Sequence, residues 1–127
     1  MTMTTDINRP EVLREMRAVF ERYETALVGN DTATLDALFW HADAVVRYGA
    51  GENLIGIEAI RAFRASRPIV GLARTLANTV ITTFGQDFAT AMTEYHREGS
   101  PRVGRQSQTW VRFDEGWRVV AAHVSLI

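Results

Sequence analysis

Two residues in this chain could do chemistry that their surroundings do not explain. The stretch VVRYGAGENLIG, residues 45–56, follows Ala44 as an apolar strand and then places Arg47 where the pattern asks for another buried side chain. A guanidinium stays charged at any working pH, and burying one without a partner is costly. Either an internal acid such as Glu52 or Glu94 answers it, or a ligand carboxylate does, gripped at two points by the planar fork. Tyr23 is the second residue. It falls on an apolar helical stripe, seven residues after Met16 and four before Leu27. On that spacing its hydroxyl either meets a backbone group in the core or is free to give up a proton.

Further polar groups sit in the segment GRQSQTWVR, where Gln106, Gln108 and Trp110 alternate with Arg105, Ser107 and Thr109. A two-residue turn at Glu115-Gly116 sets Gln108 opposite His123 and Gln106 opposite Ser125. A three-residue turn reverses the pairing. The first register is the expectation, because amides, imidazole and hydroxyl together suit a polar ligand; surface polarity is the plain alternative. Trp40 and Phe63 are expected as pocket or core wall. Arg64 and Arg67 are read as solvated helix face, with the option of rimming a pocket mouth.

Absences narrow the chemistry. Without cysteine there is no thiol nucleophile, disulfide or thiolate metal site. All 14 basic residues are arginine, so Schiff-base chemistry, a phosphate-loop lysine and a Ser-Lys mechanism are excluded. The histidines at 41, 96 and 123 lack ligand spacing, and neither ASR nor QSQ has the flanking glycines of a nucleophile elbow. Neither metal nor cofactor is expected. A net charge of -1 with no basic tract leaves no footprint for nucleic acid or an anionic membrane. There is no long apolar run, and MTMTTDINRPEV lacks the layout of a signal peptide, so the cytoplasm is the expected location.

The elements that must position these residues read as one α+β domain over residues 1–127. Pro10 opens a first helix that Gly29-Asn30 stops, Asp31 caps a second, and a third near 57–66 ends at Pro68. A strand at 44–48 precedes a GAGENLIG turn. Four β segments follow near 70–84, 87–98, 102–113 and 117–126, broken by FGQD, REGSPR and DEG turns. Helices against one face of a curved antiparallel meander leave a pocket between them. The last strand divides into Val120, Ala122, Val124 and Leu126 on one face and Trp117, Val119, Ala121, His123 and Ser125 on the other. Two largely apolar faces suggest a homodimer packed through the back of the sheet, with a helix lying over an edge as the alternative.

This order of elements, with the late GWRVVAAHVS, resembles the NTF2-like, or SnoaL-like, cone fold. Within it, FERYETALVGND with LDALFW, then VVRYGAGENLIGIEAIRAFRASRP, then GRQSQTWVRF are similar to the AtzH-like family of oxalurate-catabolism proteins. The long middle stretch is the specific one. The resemblance implies hydrolysis of small carboxylated ureas beside amidases in bacterial nitrogen catabolism, notably the decarboxylating conversion of 1,3-dicarboxyurea to allophanate. It also implies that the first helix crosses the cone mouth next to the strand bearing Arg47. A tyrosine there resembles the oxyanion-hole tyrosine of ketosteroid isomerases. With Arg47 in place of an aspartate base, carbon-acid chemistry of that kind is poorly supported. On this reading Arg47 orients a substrate carboxylate, Tyr23 donates a proton, and Trp40, Phe63, Gln106, Gln108, Trp110, His123 and Ser125 bind the small anionic ureido substrate. A non-enzymatic anion-binding or assembly module is the first alternative, and an isomerase or dehydratase the second.

Overall fold

The computed structural model describes all residues, Met1–Ile127. After a single 3-10 turn at Thr4–Asp6, helix α1 runs Pro10–Val28 and buries Val12, Met16, Phe20, Tyr23 and Leu27 of the stripe read from spacing, with Ala26 added and Val19 only partly buried. Helix α2, Thr32–Ala37, is capped by Asp31, whose carboxylate accepts from the Thr34 backbone N–H at 3.1 Å. The Thr34 hydroxyl, and after it that N–H, hold the Asp31 carboxyl below its ordinary value. A depressed carboxyl contributes its stability above the unfolded value and loses it only as pH falls through the folded one, so this cap survives mild acid. Helix α3 is Ile57–Ser66, entered through Gly56 at φ 88 and followed by Pro68.

The strands are β1 Val46–Tyr48, β2 Asn53–Ile55, β3 Thr75–Phe84, β4 Phe88–His96, β5 Gly104–Phe113 and β6 Gly116–Leu126. They form one sheet in the order β2-β1-β6-β5-β4-β3. The meander β3 to β6 is antiparallel as expected, while β1 joins β6 in parallel, so the sheet is mixed. Strand β2 lies inside the segment read as a turn. Its three residues follow GAG too closely for a strand period to register.

One irregularity overturns two expectations. The β5–β6 turn is Asp114-Glu115, with Phe113 paired to Gly116, and the register slips at Thr109/Trp110 so that Val120 is extra on its strand. A bulge of this kind reverses which side chains face inward. Trp117 and Val119 therefore share the concave, helix-covered face with Ala122 and Val124, and Gln106 and Gln108 pair with Val124 and Ala122. His123 pairs with Ser107 and Ser125 with Arg105, which puts both on the outer face, away from the glutamines. The face division read from strict alternation along β6 is wrong for the same reason, and with it the case for a dimer from that strand alone.

The core lies between the helices and the concave face, with Met16, Leu35, Phe39, Ile60, Trp110 and Val119 wholly buried. No helix is long and apolar enough to cross a membrane.

Candidate active site

A cavity of about 160 Å³ lies between the helices and the concave face of the sheet. Tyr23 and Leu27 reach it from α1, and Arg47, Ala50 and Glu52 from the β1–β2 hairpin. Arg64 and Arg67 come from the end of α3, and Arg74, Tyr95, Arg97, Gln106, Gln108, Ala122 and Val124 from the sheet and its approach. Five guanidiniums thus share a space with one carboxylate, Glu52.

Most of those charges are answered. Arg74 grips Glu24 through Nε at 2.8 Å and Nη2 at 2.6 Å, and lies 4.6 Å over the Tyr95 ring. Arg64 donates to Asp36 at 2.6 Å and stacks 4.3 Å over Phe39. Arg97 donates to the Gly71 carbonyl and stacks on Tyr95 from 5.2 Å. Arg47 donates through Nη1 to Glu52 at 2.9 Å, with Phe63 5.4 Å beneath it. The internal acid foreseen for Arg47 is therefore Glu52; Glu94 pairs with Arg105 along β4–β5 and faces outward.

Arg67 is different. It enters no ion pair, and its Nε and Nη2 are buried without a partner. Burial first, then the positive charge of Arg64, pulls its guanidinium below the ordinary arginine value; Tyr23 opposes that shift, and Arg47 and Arg97 add to it. Arg67 therefore sits among three other cations and close to the tyrosine.

The glutamines have fixed orientations. Gln106 Oε1 accepts from Arg74 at 3.0 Å, and Gln108 Oε1 accepts from the Trp110 indole N–H at 3.0 Å. Guanidinium and indole can only donate, so each amide must turn its NH₂ group the other way. Both Nε2 atoms are buried without acceptors. Arg64 Nη2 is orphaned too, so five of the chain's seven buried unpartnered polar atoms are N–H donors on cavity residues. Buried donors are normally satisfied, and an acceptor-rich group inside the cavity would satisfy this set.

Tyr23 is held by Phe39 at 6.2 Å and by the edge of Trp110 at 5.9 Å. It lines the cavity, and its hydroxyl takes part in none of the chain's side-chain hydrogen bonds.

Among the residues expected from sequence, the structure brings Tyr23, Arg47, Gln106 and Gln108 to one cavity. Phe63 backs Arg47, and Trp110 lies one layer deeper, orienting Gln108. Trp40 is elsewhere: it stacks on Phe113 at 6.1 Å beside a separate cleft. His123 and Ser125 line an open groove on the outer face. Arg64 and Arg67 are not solvated face; Arg64 is 4% exposed. A signal for both existed, since 57, 60, 64 and 67 follow helical spacing from Ile57 and Ile60. Arg74 and Arg97 carried no such signal.

Gly104 also shapes the wall. A Cβ there would fall 2.0 Å from the Tyr95 ring, the ring over which the Arg74 and Arg97 guanidiniums lie. An aromatic ring cannot bend aside, so Gly104→Ala should destabilise by about 1–3 kcal/mol, measured by denaturant melts.

A curved sheet wrapped by three helices around such a cavity is the NTF2-like fold. An NTF2-like protein of unknown function from Pseudomonas putida is similar with a TM-score of 0.70 at 22% identity, over 88% of this chain and 84% of that one. The chain belongs to the AtzH-like family, whose profile matches residues 5–127. It is similar to a protein of unknown function from the DUF3225 family of Pectobacterium atrosepticum, 61% identical with a TM-score of 0.99, covering 100% of this chain and 99% of that one. A cystatin-like fold protein from Burkholderia xenovorans is 50% identical with a TM-score of 0.92, over 95% of each chain. Among curated proteins nothing matches.

Proposed function

We propose that the cavity converts a small carboxylated urea, of which 1,3-dicarboxyurea is the type, to allophanate and carbon dioxide. The observation that carries this reading is the set of unpartnered N–H donors on residues that line the same cavity as Tyr23. A planar urea with terminal carboxylates presents acceptors at its carbonyl and at both ends, which suits such a set of donors.

The step is a protonation with C–N cleavage. The bond between the carbamate nitrogen and its carboxylate carbon breaks, its electron pair stays on nitrogen, and carbon dioxide leaves. The nitrogen takes its proton from the Tyr23 hydroxyl, which is reloaded from solvent, so dianion plus one proton gives allophanate plus carbon dioxide. Glu52 uses only Nη1 of Arg47, leaving the rest of that fork to orient the carboxylate. A positioned general acid contributes about 10² to 10⁴ in rate. Allophanate is itself an amide, which makes an amidase the natural next enzyme. A larger apolar substrate of the isomerase or dehydratase kind fits poorly in about 160 Å³ lined by five guanidiniums.

Thermal shift tests the binding half. Oxalurate, allophanate and malonate should stabilise the protein, and neutral biuret and steroids should not. At a hundred times its dissociation constant a ligand adds about 2.7 kcal/mol, or about 10 °C for a chain this size. Equal stabilisation by neutral apolar compounds would contradict the reading.

The outer sheet face is read as a homodimer surface, because Val80, Phe88 and Met92 stand exposed on it. Light scattering should give twice the chain mass, and Met92→Arg should lower it to the monomer. A wild-type monomer at micromolar concentration would remove the dimer.

A further inference from the structure

We propose that Arg67 anchors one carboxylate of the ligand, leaving the other to the free part of the Arg47 fork, and that Glu52 is a built-in counter-ion that partly neutralises Arg47 and weakens its hold on an anion. This rests on the cavity's being an anion site and not on the reaction assigned to it. The charges are unevenly matched. Glu24 and Glu52 answer Arg74 and Arg47, Asp36 answers Arg64 and also Arg61, and Arg97 donates to the Gly71 carbonyl; of the cavity's five guanidiniums only Arg67 has neither a carboxylate nor a carbonyl partner. The geometry points the same way. The two orphaned atoms of Arg67, Nε and Nη2, form one side of the guanidinium, the same edge with which Arg74 holds both oxygens of Glu24. That edge takes a carboxylate in two-point fashion, and no acid of this chain meets it on Arg67. The Gln106 and Gln108 amides offer further unpartnered donors within the same cavity.

Glu52 reaches Arg47 because residue 49 is glycine. A Cβ there would lie 1.8 Å from Glu52 Oε1 and 3.1 Å from Arg47 Nη1. The obstructed atom is the end of a flexible side chain, so Gly49→Ala should fold and push Glu52 off Arg47. Freed of its acid, Arg47 becomes a second open cation.

Calorimetric titration of acetate and malonate into the full chain and its variants tests both assignments. Arg67→Gln should weaken both anions by about a hundredfold or more, and Arg67→Lys, which keeps the charge but not the fork, by an intermediate factor. Glu52→Gln should tighten both by about tenfold, and Gly49→Ala should tighten them in the same direction. Affinity in Arg67→Gln within about threefold of wild type, in a variant whose melt shows it folded, overturns the anchor. Unchanged or weaker binding in both Glu52→Gln and Gly49→Ala overturns the counter-ion. The outcomes separate from those of the proposed reaction: anions binding as expected with no carbon dioxide released from a carboxylated urea leaves Arg67 as anchor and removes the reaction.

Discussion

Tyr23→Phe should cut turnover of a carboxylated urea by about a hundredfold or more while its melting temperature stays close to that of wild type. The substitution keeps the ring between Phe39 and Trp110 and removes only a hydroxyl that makes no side-chain hydrogen bond within the chain. A core tyrosine behaves otherwise: loss of its hydroxyl bond lowers stability by about 1–2 kcal/mol and leaves turnover per folded molecule intact. Steady-state kinetics beside a melting curve distinguishes the two. Arg47→Lys belongs to the same experiment. It keeps a positive charge near Glu52 but loses the planar fork over Phe63, so activity should fall steeply in a protein that still folds.

Arg67→Met should have the opposite effect on stability: the ligand-free variant should melt higher than wild type. Burial and three neighbouring cations depress the Arg67 guanidinium. A base whose folded value lies below its unfolded one takes up protons more readily in the unfolded chain, so its charge costs stability at every pH below the folded value. For arginine that covers the whole practical range, and substitution is the means of removing the cost. Arg67 is half-buried and water screens part of the repulsion, so the gain should be about 1 kcal/mol, or roughly 3–5 °C. The same variant should show no thermal shift with malonate. A site that gains stability on losing its ligand anchor is the expected trade between folding and function. A lower melting temperature would mean that Arg67 has a partner within the fold.

The helices and the meander were legible because each rests on a local signal. Pro10, the Val12-Met16-Val19-Phe20-Tyr23-Leu27 stripe and Gly29-Asn30 bound α1, Asp31 caps α2, and Pro68 follows α3. Tyr23 and Arg47 were legible as exceptions to those patterns. What failed was non-local. The extra residue at Val120 reverses the faces of β6, and strict alternation cannot register it, so His123 and Ser125 were assigned to the wrong side. Trp40 packs on Phe113, a contact between positions far apart in the chain. The arginine cluster failed for a related reason. Arg74 is answered by Glu24 and Arg64 by Asp36, partners 50 and 28 residues away, and until those pairs form nothing marks Arg67 as the cation left over.

Release of carbon dioxide from a carboxylated urea by protonation from Tyr23 is open to one direct measurement. Carbon-13 NMR on 1,3-dicarboxyurea generated in situ follows allophanate and bicarbonate together, with and without protein. Wild type should speed their appearance at least about a hundredfold over buffer, and Tyr23→Phe should return the rate most of the way to it. Wild-type protein that binds malonate yet leaves the rate at that of buffer would contradict the proposed reaction.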